Sequence, residues 1–132
     1  MFKFSGTRPT DLGVQSGRLK ACPASPNCVC SYDSDKEHGI AAITYTKSPA
    51  EAMAVLKQVI VGMERTAIVT ESENYLYAEF TTKLMGYVDD VEFYLSDGAI
   101  QVRSASRLGQ SDLGLNRQRI EAIRSACAAA GI

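Results

Sequence analysis

The sequence predicts an α+β domain. It has a mostly antiparallel sheet of about five strands, two helices packed on one face of that sheet, and an irregular N-terminal arm. Three observations carry this reading. Between residues 66 and 106 apolar and polar side chains alternate with period two in four separate segments. On either side of that block run apolar stripes at helical spacing, one from Ala52 to Met63 and one from Leu113 to Ala130. The first forty residues show neither period and hold Pro9, Pro23 and Pro26, three of the 4 prolines. Strands that run together with helices outside them place both helices over one face of an antiparallel sheet, not in alternating βαβ units.

Size and charge agree with this class and exclude others. A chain of 132 residues suits one domain, with residues 1–40 as the arm and 41–132 as the α+β core. Apolar residues at 45% and charged residues at 22% are enough to form a packed core, which excludes a disordered chain. Lys and Arg number 14 against 15 Asp and Glu, for a net charge of -1. A domain that grips nucleic acid is clearly basic, so nucleic acid is excluded as a general partner. No apolar run reaches the roughly 18 residues of a transmembrane segment. The stretch from Met1 to Arg8 has no apolar leader, and a cytoplasmic location is expected from it.

Each element follows from local chemistry. The arm carries Phe2, Phe4, Leu12, Val14 and Leu19, apolar points that must dock on the rest of the domain. Residues 40–46 alternate weakly and suit a short strand. Ser48 then offers an N-cap, Pro49 fits the first helical position and Glu51 completes a capping box. Ala52, Val55, Leu56, Val59, Ile60 and Met63 form that helix's buried stripe, and Gly62 ends it. Residues 66–70, 75–82, 90–96 and 99–105 are the four strands. Leu76, Ala78 and Phe80 point inward, as do Val91, Phe93, Leu95, Ile100 and Val102.

Asp97-Gly98 is a strong two-residue hairpin signal between the last two strands. It sets Leu95 opposite Ile100, Phe93 opposite Val102 and Glu92 opposite Arg103, so apolar meets apolar and acid meets base. The closing helix begins at Asp112 or Asn116 and ends at Ala130, with Gly131 as its stop. Leu113, Ile120, Ile123, Cys127 and Ala130 are expected on its buried face.

Three stretches carry a family resemblance. They are Cys22-Pro23-Ala24-Ser25-Pro26-Asn27-Cys28-Val29, the run from Gly86 to Leu95 reading GYVDDVEFYL, and the run from Arg103 to Arg117 reading RSASRLGQSDLGLNR. In their order and spacing they resemble the domain of unknown function 1499 family, over about residues 5–125. The resemblance implies bacterial or plastid-bearing hosts. It also implies relatives that are often exported, lipid-anchored or carried into chloroplasts. It brings no catalytic residue. Cys30 departs from the family pattern, which has a small hydroxyl residue there, and this weakens a three-cysteine metal site as a family feature.

Four groups of residues could carry chemistry. Cys22 and Cys28 flank a turn-forming Pro-Ala-Ser-Pro-Asn stretch and are candidates for a disulfide. They read more simply as ordinary thiols, and a third reading joins them with Cys30 and His38 around a soft metal in a redox or metal-binding protein. His38 sits among Asp33, Asp35, Lys36 and Glu37 and reads most simply as a solvated loop residue. The second group is an arginine cluster. Arg103 and Arg107 share a face of the last strand, and Arg117 and Arg119 fall at the start of the closing helix, where the helix dipole is already positive.

Asp89, Asp90, Asp112 and Glu92 are candidate ion-pair partners for these arginines. The alternative is a bound phosphate or carboxylate held by Arg103, Arg107, Asp112, Asn116 and Arg117. The third group is the outward sheet face of Tyr77, Glu79, Thr81, Glu92, Tyr94, Gln101 and Arg103. That face could be solvated, covered by the arm, or the seam of a homodimer. The fourth is the apolar run 84–88, expected to be buried. Hydrolase, nucleotide-binding and metalloprotease signatures are absent from the sequence. The expected function is therefore a small non-enzymatic binding or accessory module without a cofactor. The cysteine-loop redox or metal protein and an enzyme of unknown class stand as alternatives.

Overall fold

The computed structural model describes residues 6–83, 86–109 and 114–132. Within them the elements run as β1 (Cys28–Cys30), β2 (Ile43–Thr44), α1 (Pro49–Val61), β3 (Thr66–Glu71), β4 (Tyr75–Thr81), β5 (Val88–Ser96), β6 (Ala99–Ser106) and α2 (Leu115–Ala129). The described strands form one six-stranded sheet in the order β1-β6-β5-β4-β3, with β2 also pairing to β6. Every named pair is antiparallel. Phe2, Phe4, Leu84, Met85, Asp112 and Leu113 lie outside the described residues.

Local chemistry explains the elements. Ser48 caps α1 by accepting from the Glu51 amide, and its hydroxyl donates back to the Glu51 carboxylate at 3.0 Å. The β5–β6 turn has Asp97 and Gly98 at φ of 55° and 75°, the two positive values a type I′ turn requires. The resulting register pairs Leu95 with Ile100, Phe93 with Val102 and Glu92 with Arg103. Inward residues of β4, β5 and β6 then meet Leu56, Ile60, Ile120, Ile123 and Cys127 from the helices in one apolar core. Each such Leu, Ile, Val or Phe contributes about 1.5–3 kcal/mol by leaving water.

The expected strand over residues 40–46 is only Ile43–Thr44. A strand with no counterpart in the sequence reading, Cys28–Cys30, forms one edge of the sheet beside β6. Three residues are too few to show a period, so their pairing depends on what lies next to them.

The outer face of the sheet is covered in part by the arm. Arg8 donates to Glu79 at 2.7 Å, and the Gly13 amide donates to Glu92 at 2.7 Å. Gly13 adopts φ of +105°, a conformation open to glycine, and this turns its N–H toward the sheet. Leu19 is buried. Among the described residues no helix is long and apolar enough to cross a membrane.

Candidate functional site

Alternation along β5 and β6 sorts the charged residues onto two faces of the sheet. Asp90, Glu92, Arg103 and Arg107 point outward, toward the arm. Asp89, Ser104 and Ser106 point toward the helices.

On the helix side, Asn116 and Arg119 of α2 complete a buried polar cluster. Ser104 donates to Asn116 Oδ1 at 2.5 Å, while Asn116 Nδ2 donates to the Asn27 carbonyl at 3.2 Å and to Ser106 Oγ at 3.0 Å. Arg119 lies over the Phe80 ring, donates to Asn116 Oδ1 at 2.9 Å and approaches Asp89 Oδ2 to 2.7 Å. The Asp89 contact is ionic, not a directed hydrogen bond, since Oδ2 receives no well-aligned donor. Arg117 turns away and donates to the carbonyls of Glu37 and Gly39 at 3.3 and 2.8 Å.

On the outer side Arg107 is fully engaged. Nε and Nη2 form a bidentate pair with Asp90 at 2.9 and 2.8 Å, and Nη2 also reaches Glu79 at 2.5 Å. Asp90 further accepts from the Tyr77 hydroxyl at 2.5 Å. Burial, and then this bond, push the Tyr77 phenol up to about 12, so it stays protonated and donating. These charge-assisted bonds are the short, strong kind and fix β4, β5 and β6 to one another.

Arg103, four residues earlier on the same face, is the opposite case. Its side chain is 6% exposed, yet it donates no hydrogen bond to any described residue. The nearest carboxylate oxygen, Glu92 Oε1, stands 3.9 Å away, and both Glu92 Oε1 and Arg103 Nε are buried without a hydrogen-bond partner. The other Glu92 oxygen accepts from Tyr75 at 2.6 Å and from the Gly13 amide. Burial raises the Glu92 carboxyl above the ordinary carboxylate range, against the pull of those two donors and Arg103.

Arg103 lines a cavity of about 240 Å³ between the sheet and the arm. The arm supplies Pro9, Asp11, Leu12 and Lys20, and the sheet supplies Asp90, Ala105 and Arg107. The third wall is the cysteine loop, with Pro23, Ser25 and Asn27. That loop is closed by a disulfide between Cys22 and Cys28, whose Cα atoms are 5.7 Å apart. The disulfide withdraws both sulfurs from metal binding. Cys30 is buried beside β6, and burial raises its thiol pKa, opposite to what a nucleophile needs.

His38 holds the same wall and is not solvated, since its side chain is 12% exposed. Nδ1 lies 2.6 Å from Asp35 Oδ2 and Nε2 lies 2.9 Å from the Ser25 carbonyl. Only the imidazolium donates through both nitrogens, so the Ser25 carbonyl, and then Asp35, raise the His38 pKa against a burial penalty. A raised folded value stabilises the fold fully below the ordinary imidazole pKa of 6.5 and is lost as pH rises through the folded value. His38 is the one histidine of the chain, so its ring resonance can be tracked by NMR without assignment. We expect its titration midpoint above about 6.5. We also expect the melting temperature to fall across that transition, with a flatter profile in His38→Gln. A midpoint at or below the ordinary value would show that the double contact does not form.

Of the residues grouped from the sequence as one ligand set, Arg103 and Arg107 share the cavity. Asn116 reaches it only from behind, through Asn27 and Ser106, Arg117 lies elsewhere, and Asp112 is outside the described residues. Leu12 is an apolar point expected to dock somewhere on the domain, but the cavity residues Pro9, Asp11 and Lys20 carry no sequence signal, since no period indicates their neighbours.

A family profile described as Protein of unknown function (DUF1499) matches residues 18–127, from within the arm into α2. No curated protein matches the chain.

Proposed function

We propose, from the premise that the chain belongs to the DUF1499 family, that this protein is a small binding module. Its site is the cavity between arm and sheet, and its ligand is a small anion held by Arg103. The observation that carries this reading is the Arg103 guanidinium, more than nine-tenths buried and without a hydrogen bond among the described residues, on the wall of an open cavity. Burying a guanidinium costs hydration that direct hydrogen bonds normally replace; here Nε has none, and an anion in the cavity would supply partners to the fork. Lys20 and Arg107 line the same space but are paired with acids, which leaves Arg103 as the group that faces an anion, while the Cys22–Cys28 disulfide and His38 hold the third wall in place. Nothing in this arrangement resembles a nucleophile with its base, which favours binding over catalysis.

Thermal unfolding in acetate, phosphate and sulfate, at constant ionic strength, tests the site. An anion present at about 100 times its Kd stabilises by roughly 2.7 kcal/mol, a shift of several degrees. We expect such a shift with at least one of the three in the native protein and none in Arg103→Met or in the double variant Arg103→Met/Glu92→Gln. No shift with any anion, or an equal shift in the variants, would overturn the assignment.

A further inference from the structure

The geometry points to an organic monocarboxylate with an apolar body as the ligand of this cavity, an inference that rests on the anion site proposed above. Charge pairing around the cavity selects a single negative charge. Lys20 is already ion-paired with Asp11, and Arg107 with Asp90 and Glu79. Among the described residues that line the cavity, Arg103 is the cation whose fork makes no hydrogen bond, with its nearest described acid at 3.9 Å. One added negative charge finds one loosely paired guanidinium. A second would meet no free cation and would stand beside Asp11 and Asp90, where like charges repel. Inorganic phosphate is in large part doubly charged at neutral pH, and that form is disfavoured on this count.

Shape selects the planar group. Arg presents its N–H donors in a rigid planar fork that matches a carboxylate's two oxygens. The remaining walls select the body attached to that carboxylate. The walls are mixed: Ser25, Asn27 and Ser106 are polar, while Pro9, Leu12, Pro23 and Ala105 add an apolar strip, in which Pro9 and Leu12 are half-buried. An aliphatic or aromatic tail would cover them. At about 240 Å³ the space is smaller than the roughly 300–1,000 Å³ of drug-sized sites, which suits a small acid.

Calorimetric titration with acetate, butyrate, hexanoate, dimethyl phosphate and inorganic phosphate separates the outcomes. We expect the carboxylates to bind, with affinity rising about threefold to fourfold per added methylene until the walls are covered. We expect inorganic phosphate to bind at least tenfold more weakly than hexanoate, and binding of every acid to vanish in Arg103→Met/Glu92→Gln. Phosphate or dimethyl phosphate binding as tightly as hexanoate, and lost in that variant, would overturn the carboxylate class and leave the anion site standing. Affinity that does not change along the carboxylate series would overturn the apolar body in the same way. No binding by any of the five probes, or binding that the double variant retains, would overturn the site and the ligand class together.

Discussion

Arg107→Ala is expected to destabilise the fold by about 3–5 kcal/mol, the range for removing one partner of a buried ion pair. For a domain of this size that is a fall in melting temperature of roughly 10–20 °C. The reason is what the substitution leaves behind. Asp90 is 2% exposed, and without the guanidinium its carboxylate depends on the Tyr77 hydroxyl at 2.5 Å. Glu79 loses one of its two arginines and keeps Arg8. Three neighbouring strands, β4, β5 and β6, meet at this one side chain. Arg107→Lys should recover little, because an ammonium cannot satisfy both Asp90 oxygens at 2.8 and 2.9 Å as the fork does. Adding Asp90→Asn to Arg107→Ala should recover part of the loss by removing the stranded charge. Urea unfolding with an unchanged slope measures all of these. A loss below about 1 kcal/mol for Arg107→Ala would place it with ordinary surface ion pairs and refute the stranded-charge explanation.

The hairpin that places these residues was legible in the sequence because three local signals agreed. The Asp97-Gly98 turn, the alternation on both sides of it and the charge match of Glu92 with Arg103 all demand the same register. The cap of α1 was legible for the same reason, since Ser48, Pro49 and Glu51 each serve the same helix start. The ligand set read from the sequence, Arg103, Arg107, Asp112, Asn116 and Arg117, does not line one cavity among the described residues. Parity along β6 sends Arg103 and Arg107 to the face opposite Val102, while α2 has to cover the face that Val102 shares. Taken together, those two facts already separate Asn116 and Arg117 from Arg103. The arm was illegible for a physical reason. Its contacts are single bonds, such as the Gly13 amide to Glu92 across 79 positions, and a backbone amide carries no side-chain signature. His38 read as solvated because its sequence neighbours are charged, whereas the Ser25 carbonyl that confines it is thirteen residues away.

Arg103 and Arg107 lie on the same strand and face, with side chains 6% and 7% exposed, so burial alone would assign them equal roles. Pairing assigns them opposite ones. Arg107→Ala breaks a satisfied network, whereas Arg103→Met/Glu92→Gln replaces two buried, poorly paired charges by neutral groups. Such exchanges are neutral or stabilising by about 1–4 kcal/mol, and we expect this double variant to melt at or above the native temperature while losing the anion response. The single variant Arg103→Met separates the contribution of Glu92 through pH. Burial already holds the Glu92 carboxyl above the ordinary range, so its protonated form suits the fold and the benefit is lost as pH rises through that raised value. Arg103→Met should therefore match the double variant in acid and fall behind it as Glu92 ionises with no cation beside it. The native protein, which keeps the guanidinium at 3.9 Å, should show a shallower fall. A double variant that lost more than about 2 kcal/mol at every pH would mean that Arg103 supports the fold as Arg107 does. The unpaired fork would then be no sign of a missing ligand.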